Sequence, residues 1–244
     1  MALSICPPFH RAYRVLAGAS LLCTTMLLGQ STTVVLRDHL DPSRLEARRD
    51  SFTVIMRGTQ RGWQVLSTAR DGEGWALGDA LSIDGMVSQS SVIRVSARLD
   101  ETSLRQHGTM MGKPMRIALD ASGPRVTGVA LTPNNPAGEL AIDVPRTEGL
   151  LDDNAVTPLL AFVRWREDFS AVFPVLSSGK GTVSDVSVRT LGKEQVTVPA
   201  GQFETWRVEL QMGVSRLVAN ITTAAPYRIV RMSNGPMFEM HLVR

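Results

Sequence analysis

The chain has 244 residues, 43% of them hydrophobic and 20% charged, with a formal net charge of +3 and two cysteines. That length admits one or two domains, and that composition excludes both a disordered chain and a multi-span membrane protein. Aromatic residues make up 5%, and the basic residues are scattered, with only Arg48-Arg49 adjacent, so nucleic acid is excluded as a partner.

The first predicted element is a leader over residues 1–31. Met1 to Arg14 carries His10, Arg11 and Arg14 and no acid; Val15 to Gly29 is uncharged and apolar; Gly29 and Ser31 frame Gln30 as a small-x-small exit. This is the layout of a secretory signal peptide. The alternative is a membrane anchor, but the run is shorter than the roughly 20 apolar residues a spanning helix needs. Leu22 before Cys23 is not the small residue a lipidation site wants. Cys6 and Cys23 both lie in the leader. Its removal predicts a periplasmic or secreted chain with no cysteine and no integral membrane span, at 24 basic against 23 acidic residues.

Asp41-Pro42 reads as an N-cap with proline at the first helical position, predicting a short helix to about Arg49. From Ser51 the pattern turns to alternation: Phe52, Val54 and Met56; Trp63, Val65 and Leu66; Trp75 and Leu77, then Leu81 and Ile83. Ile93, Val95, Ala97 and Leu99 alternate with polar residues as a half-buried strand does. Met115, Ile117 and Leu119, then Arg125 to Leu131, then Leu140, Ile142 and Val144 continue the series. A helix is predicted near Asp152-Asp153-Asn154, with Thr157-Pro158 an equal candidate for its start; Leu159, Phe162 and Val163 share a face. Val183 to Leu191 and Glu194 to Val198 read as a strand pair. Val198-Pro199-Ala200-Gly201 fits a type I turn, and Trp206, Val208, Leu210 and Met212 follow on one face. The last strands hold Leu217, Ala219 and Ile221, then Tyr227, Ile229 and Arg231, then Phe238, Met240 and Leu242.

Residues 32–244 therefore read as one all-β domain with one or two short helices: a curved antiparallel meander sheet, a half-barrel or open barrel, with a helix covering the concave face. Chemistry is sparse. Beyond the leader His39, His107 and His241 stand far apart, and neither a paired zinc motif nor a G-x-S-x-G elbow is present. A Ser-His-Asp hydrolase is the weakest of the readings. Ser177 to Thr182 departs from phosphate-loop spacing and reads as a turn between strands. Asp152-Asp153 reads as a helix cap rather than as a catalytic carboxylate pair. No cofactor or metal is expected, and the chain is expected not to be an enzyme.

Val196-Thr197-Val198-Pro199-Ala200-Gly201-Gln202-Phe203-Glu204-Thr205-Trp206-Arg207-Val208-Glu209 resembles the V-P-A-G-x-F-x-x-W-R-V signature of a family of exported bacterial proteins whose domain has no assigned function. Leu151 to Asn154, Ser178 to Thr182, and Met111 to Met115 with Thr132-Pro133 resemble further features of it. The family is similar in architecture to periplasmic lipoprotein carriers. The resemblance implies a hydrophobic small molecule or lipid bound in the sheet's concavity; the rival expectation is a structural or interaction module for other envelope proteins. Trp63, Trp75, Leu159, Phe162, Val163, Trp206, Val208 and Leu210 are the residues expected to line that concavity or fill its core.

Overall fold

The computed structural model describes residues 36–133, 135 and 137–244, so the leader lies outside the described residues. Fifteen strands form one sheet: β1 (Arg48–Met56), β2 (Thr59–Asp71), β3 (Gly74–Ile83), β4 (Val87–Val95), β5 (Glu101–Met110), β6 (Lys113–Asp120), β7 (Arg125–Leu131), β8 (Glu139–Pro145), β9 (Leu151–Asp152), β10 (Ser170–Ser177), β11 (Thr182–Val198), β12 (Gly201–Met212), β13 (Ser215–Thr222), β14 (Ile229–Ser233) and β15 (Glu239–Leu242). They lie in the order 8-7-6-5-4-3-2-1-15-14-13-12-11-10-9. Every neighbour is antiparallel except the short β9–β10 pair. The first and last strands pair through Phe52↔Leu242 and Val54↔Met240, so both ends of the domain are locked at its middle. The free ends of the sheet fall instead at β8 and β9, which residues 146–150 connect.

Alternation sets which face is inside. Phe52 and Val54, Trp75 and Leu77, Ile93 and Val95, Ile117 and Leu119, Val208 and Leu210 all point into a single hydrophobic core that draws on both halves of the sheet. Tight twist needs small residues where strands cross closely. A Cβ at Gly62 would lie 1.9 Å from the Ser82 carbonyl oxygen, so only glycine fits beside the register shift between Val54 and Ile55.

The helix α1 (Asp153–Leu160) follows β9 and lies inside the curve, touching β3, β4, β9 and β10. Asp152 caps it, its side chain accepting from the Asn154 backbone N–H. Pro158 falls inside the helix, so the Thr157-Pro158 start is not used. The chain leaves α1 at Ala161, and Phe162 and Val163 lie beyond it, fully buried. They are pinned from the N-terminal side. Asp41 donates its backbone N–H to the Phe162 carbonyl at 2.7 Å, Arg44 reaches the Val163 carbonyl at 2.6 Å, and Leu40 bridges Val163.

Two local expectations are corrected. The helix from Asp41 is a 3₁₀ turn over Pro42–Arg44; pairing with β2 from Arg48 onward claims the residues that would have extended it. The strand pair Val183 to Leu191 and Glu194 to Val198 is one 17-residue strand, β11, kinked by a bulge between Thr190 and Gly192 and paired along its length with β12.

Candidate functional site: the seam of the sheet

Where the sheet fails to close, side chains from both free ends meet. Arg146, just past β8, donates to the carbonyls of Ala121 and Glu101, the latter at 2.9 Å. The Asp152 backbone N–H donates to the Glu101 carboxylate at 3.0 Å. The Asn154 amide nitrogen lies 2.8 Å from Asp152 Oδ1, 3.0 Å from Asp153 Oδ1 and 3.1 Å from Ser178 Oγ. Ser178 in turn donates to Asp153 Oδ1 at 2.9 Å. The Glu101–Asp152 contact thus joins the β5 start to the β9–α1 junction where no backbone ladder does, while Asn154 and Ser178 tie that junction to the β10–β11 turn beside the β9–β10 ladder.

The centre of this seam is acidic and buried. Burial pushes the Glu101 carboxyl up to about 7, against the smaller pull of the Asp152 N–H and Arg146. Asp152 is raised well above the usual carboxylate range by burial, and then by the negative charges of Asp153 and Glu101. Its Oδ2 has no hydrogen-bond partner among the described residues, an environment that favours the neutral acid.

A cavity of about 470 Å³ on one side of these acids is bordered by Arg37, Arg146 and Glu148. A cleft of about 350 Å³ lies on the other side. Met110, Met115, Ile117 and Pro133 give the cleft an apolar wall; Gln89, Gln106, Asn154 and Lys180 give it hydrogen-bonding groups. An inward-facing polar row leads towards it: Asp79, Ser91 and Gln106 are cross-strand neighbours, followed by Ile117. Gln64 holds the Asp79 carboxylate at 2.8 and 3.0 Å, and burial raises Asp79 to about 6.

A model of the DUF3108 family, a protein family of unknown function, matches residues 39–242. The chain belongs to the DUF3108 family. Two solved structures are similar to this family member to different degrees. A β-barrel-like protein of the DUF1849 domain from Brucella abortus is 12% identical, with a TM-score of 0.52 over 82% of this chain and 97% of that one. A Bacteroides fragilis protein, described as a candidate exported protein with a YmcC-like fold, is 10% identical with a TM-score of 0.27, covering 84% of this chain and 98% of that one. No curated protein matches the chain. The Brucella likeness extends to fold alone.

Within this DUF3108 chain, three of the four segments that carried the resemblance border the same cleft: Met115 with Thr132-Pro133, Asp153-Asn154, and Ser178 to Lys180. The fourth, Val196 to Glu209, forms the β11–β12 hairpin, whose Pro199-Ala200 turn sits at the other end of the sheet. Of the eight residues expected to line the concavity or fill its core, six do the latter. Trp75, Leu159, Phe162, Val163, Val208 and Leu210 are buried in the core, and none borders the cleft. Trp206 is half-buried with the Lys193 ammonium 4.9 Å over its ring. Trp63 is 51% exposed: Gln64, Leu66 and Thr68 hold the inward positions of β2, so Trp63 takes the outer face. His39 stacks edge-on against Phe169, His107 faces outward on β5, and His241 contacts Glu239 at 3.0 Å. Sequence reasoning missed the cleft's own groups. The available signal was a run of polar residues, Asp79, Ser91 and Gln106, at positions whose parity assigns them inward.

Proposed function

We propose that the protein is an exported, non-catalytic binding protein of the cell envelope that holds a small amphipathic ligand in the seam cleft. The observation that carries this reading is the cleft itself. The rest of the concave face is filled by α1, Phe162 and Val163, whereas here an apolar wall of Met110, Met115 and Ile117 faces Gln106, Asn154 and Lys180. Its volume of about 350 Å³ suits a small ligand, and convergent polar groups on an apolar surface fix orientation. Methionines adapt to varied apolar shapes. Amides and an ammonium hold a ligand by hydrogen bonds, and Ser178, almost fully buried, is engaged with Asp153. Export rests on the leader.

A second reading has its own observation. β8 is a sheet edge seven residues long with a neighbour on one side only, a template for strand addition by an envelope protein. Native mass spectrometry of the protein purified from its own envelope separates the two. The cleft reading expects a small-molecule adduct that disappears in a folded Met115→Trp variant. An adduct that persists in the variant, or co-purification with a second polypeptide and no small molecule, sinks it; the second outcome favours the β8 edge.

A further inference from the structure

The register fixes which connections share an end of the sheet. Gly62↔Ile83, Val87↔Met110 and Arg116↔Leu131 place the β1–β2, β3–β4, β5–β6 and β7–β8 connections at one rim. Ser177↔Thr182, Met212↔Ser215, Val218↔Ser233 and Ile55↔Glu239 place the β10–β11, β12–β13 and β14–β15 connections at the same rim. Eight large hydrophobic side chains are exposed among the described residues. Four stand on tips of this rim: Met86 (45% exposed), Met111 (68%), Val214 (100%) and Met237 (46%). Val183 is two residues past the β10–β11 tip. Of the remaining three, Trp63 and Val172 lie on strands and Val243 at the opposite end.

Hairpin tips favour glycine, asparagine and aspartate, because their backbones need positive φ and face water. Glycine supplies that geometry at Gly85, Gly112, Gly213 and Gly235, which leaves the position beside each of the first three, and the position two past Gly235, free for any polar residue. Methionine or valine is there instead. Met111 itself holds φ 52°, a left-handed conformation unfavourable for its side chain, and gains no burial in return. Neither turn geometry nor core packing accounts for these residues.

We propose that this rim docks the protein on an anionic lipid bilayer, with the Met86, Met111, Val214 and Met237 side chains entering the interface. The apolar groups sit singly on separate tips around a rim, whereas a protein partner needs a contiguous patch with an apolar centre. A bilayer accepts isolated side chains, each inserting between headgroups. Charge chooses the lipid. Arg57, Lys113 and Lys180 are exposed at the rim and make no ion pair among the described residues, with Asp84 the one acid of the same kind on the tips. Such a balance favours anionic headgroups within a Debye length. The cleft opens at this rim too, between Met110, Thr132-Pro133 and Lys180. Docking there would set its mouth against the lipid, although the docking surface does not depend on the cleft being occupied.

Co-sedimentation tests this with the protein purified from the envelope. The probes are vesicles of equal parts phosphatidylglycerol and phosphatidylethanolamine, with pure phosphatidylcholine vesicles as the neutral arm. The protein is expected to partition onto the anionic vesicles and to be released by salt. The quadruple variant Met86→Ser, Met111→Ser, Val214→Ser, Met237→Ser should lose on the order of tenfold or more in partition coefficient. Arg57→Glu with Lys113→Glu should lose binding while keeping all four apolar tips. All these positions are exposed, so an unchanged melting temperature certifies each variant as folded. Wild-type protein that stays in the supernatant overturns the proposal, as does a folded quadruple variant that binds like wild type. Equal binding to both kinds of vesicle overturns its electrostatic half.

Discussion

Glu101 is the residue whose chemistry is most displaced by its surroundings. Its carboxyl is pushed up to about 7 from an ordinary 4.5, chiefly by burial, and Asp79 is raised to about 6 by the same cause. A raised acid binds its proton more tightly in the folded state than in the unfolded one. The stability it contributes is therefore complete below about pH 4.5 and is lost as the pH climbs through 7. Above that window the Glu101 charge sits buried beside two further acids, Asp152 and Asp153, with Arg146 as the cation that offsets it. The expected outcome is a melting temperature that falls between about pH 5 and about pH 8, measured by circular dichroism. Glu101→Gln keeps an oxygen for the Asp152 N–H and removes the charge, so its profile should be flatter. A wild-type profile that rises over this window would show that the seam is not neutral. None of this was legible in the sequence, where no pattern sets Glu101 apart from a surface acid. Only the meeting of the β5 start with the β9–α1 junction, 51 residues apart, makes it buried.

At the scale of elements, period-two patterning located most of the strands, because one face of each is packed and the other wet; it passed over β5 and β10, and ran β4 on to Leu99 where the strand ends at Val95. It failed where that contrast was absent. Trp63 and Leu66 both looked apolar, and only the polar but inward Gln64 and Thr68 decide that Trp63 faces out. The helical spacing of Leu159, Phe162 and Val163 was real, yet the helix ends at Leu160. Their shared burial comes from the exit segment crossing the core against Leu40 and Arg44. That segment, with α1, is a plug rather than a lid, and the tryptophans do not share its role. Phe162→Ala should cost about 3–5 kcal/mol, because a fully buried ring leaves a cavity its pinned neighbours cannot fill. Trp206→Ala should cost less, about 1–3 kcal/mol, since solvent already reaches the ring and Lys193 beside it. Trp63→Ala should stay within about 0.5 kcal/mol of wild type. Urea unfolding ranks the three, and a Trp63 variant as damaging as Phe162→Ala would contradict its outward placement.

At the largest scale the described residues form a β domain whose sheet curls until its two ends almost touch, joined there by side chains instead of strand pairing. Closure by a backbone ladder would have removed both edges; closure by the Glu101–Asp152 contact, with Arg146 bracing the Glu101 side and Asn154 and Ser178 bracing the Asp152 side, leaves a joint whose strength depends on protonation. Whether the joint must part for a ligand to enter the cleft can be tested across its mouth. Thr132 and Gly179 face each other there: a Cβ built on Gly179 lies 3.2 Å from the Thr132 methyl group, and the Thr132 hydroxyl lies 3.5 Å from the Gly179 carbonyl oxygen. Both cysteines of the chain lie before residue 24, so Thr132→Cys with Gly179→Cys adds the first pair of thiols in the β domain. Gly179 has no positive φ that a side chain would strain, and the Thr132 methyl carbon, whose place a cysteine sulfur could take, lies within reach of that Cβ. The oxidised variant should gain about 2–4 kcal/mol from the shortened unfolded chain. If entry requires the seam to part, the same crosslink should slow ligand exchange in the cleft, and reduction should restore it. Stabilisation with unchanged exchange would mean that the cleft fills from the rim with the seam shut.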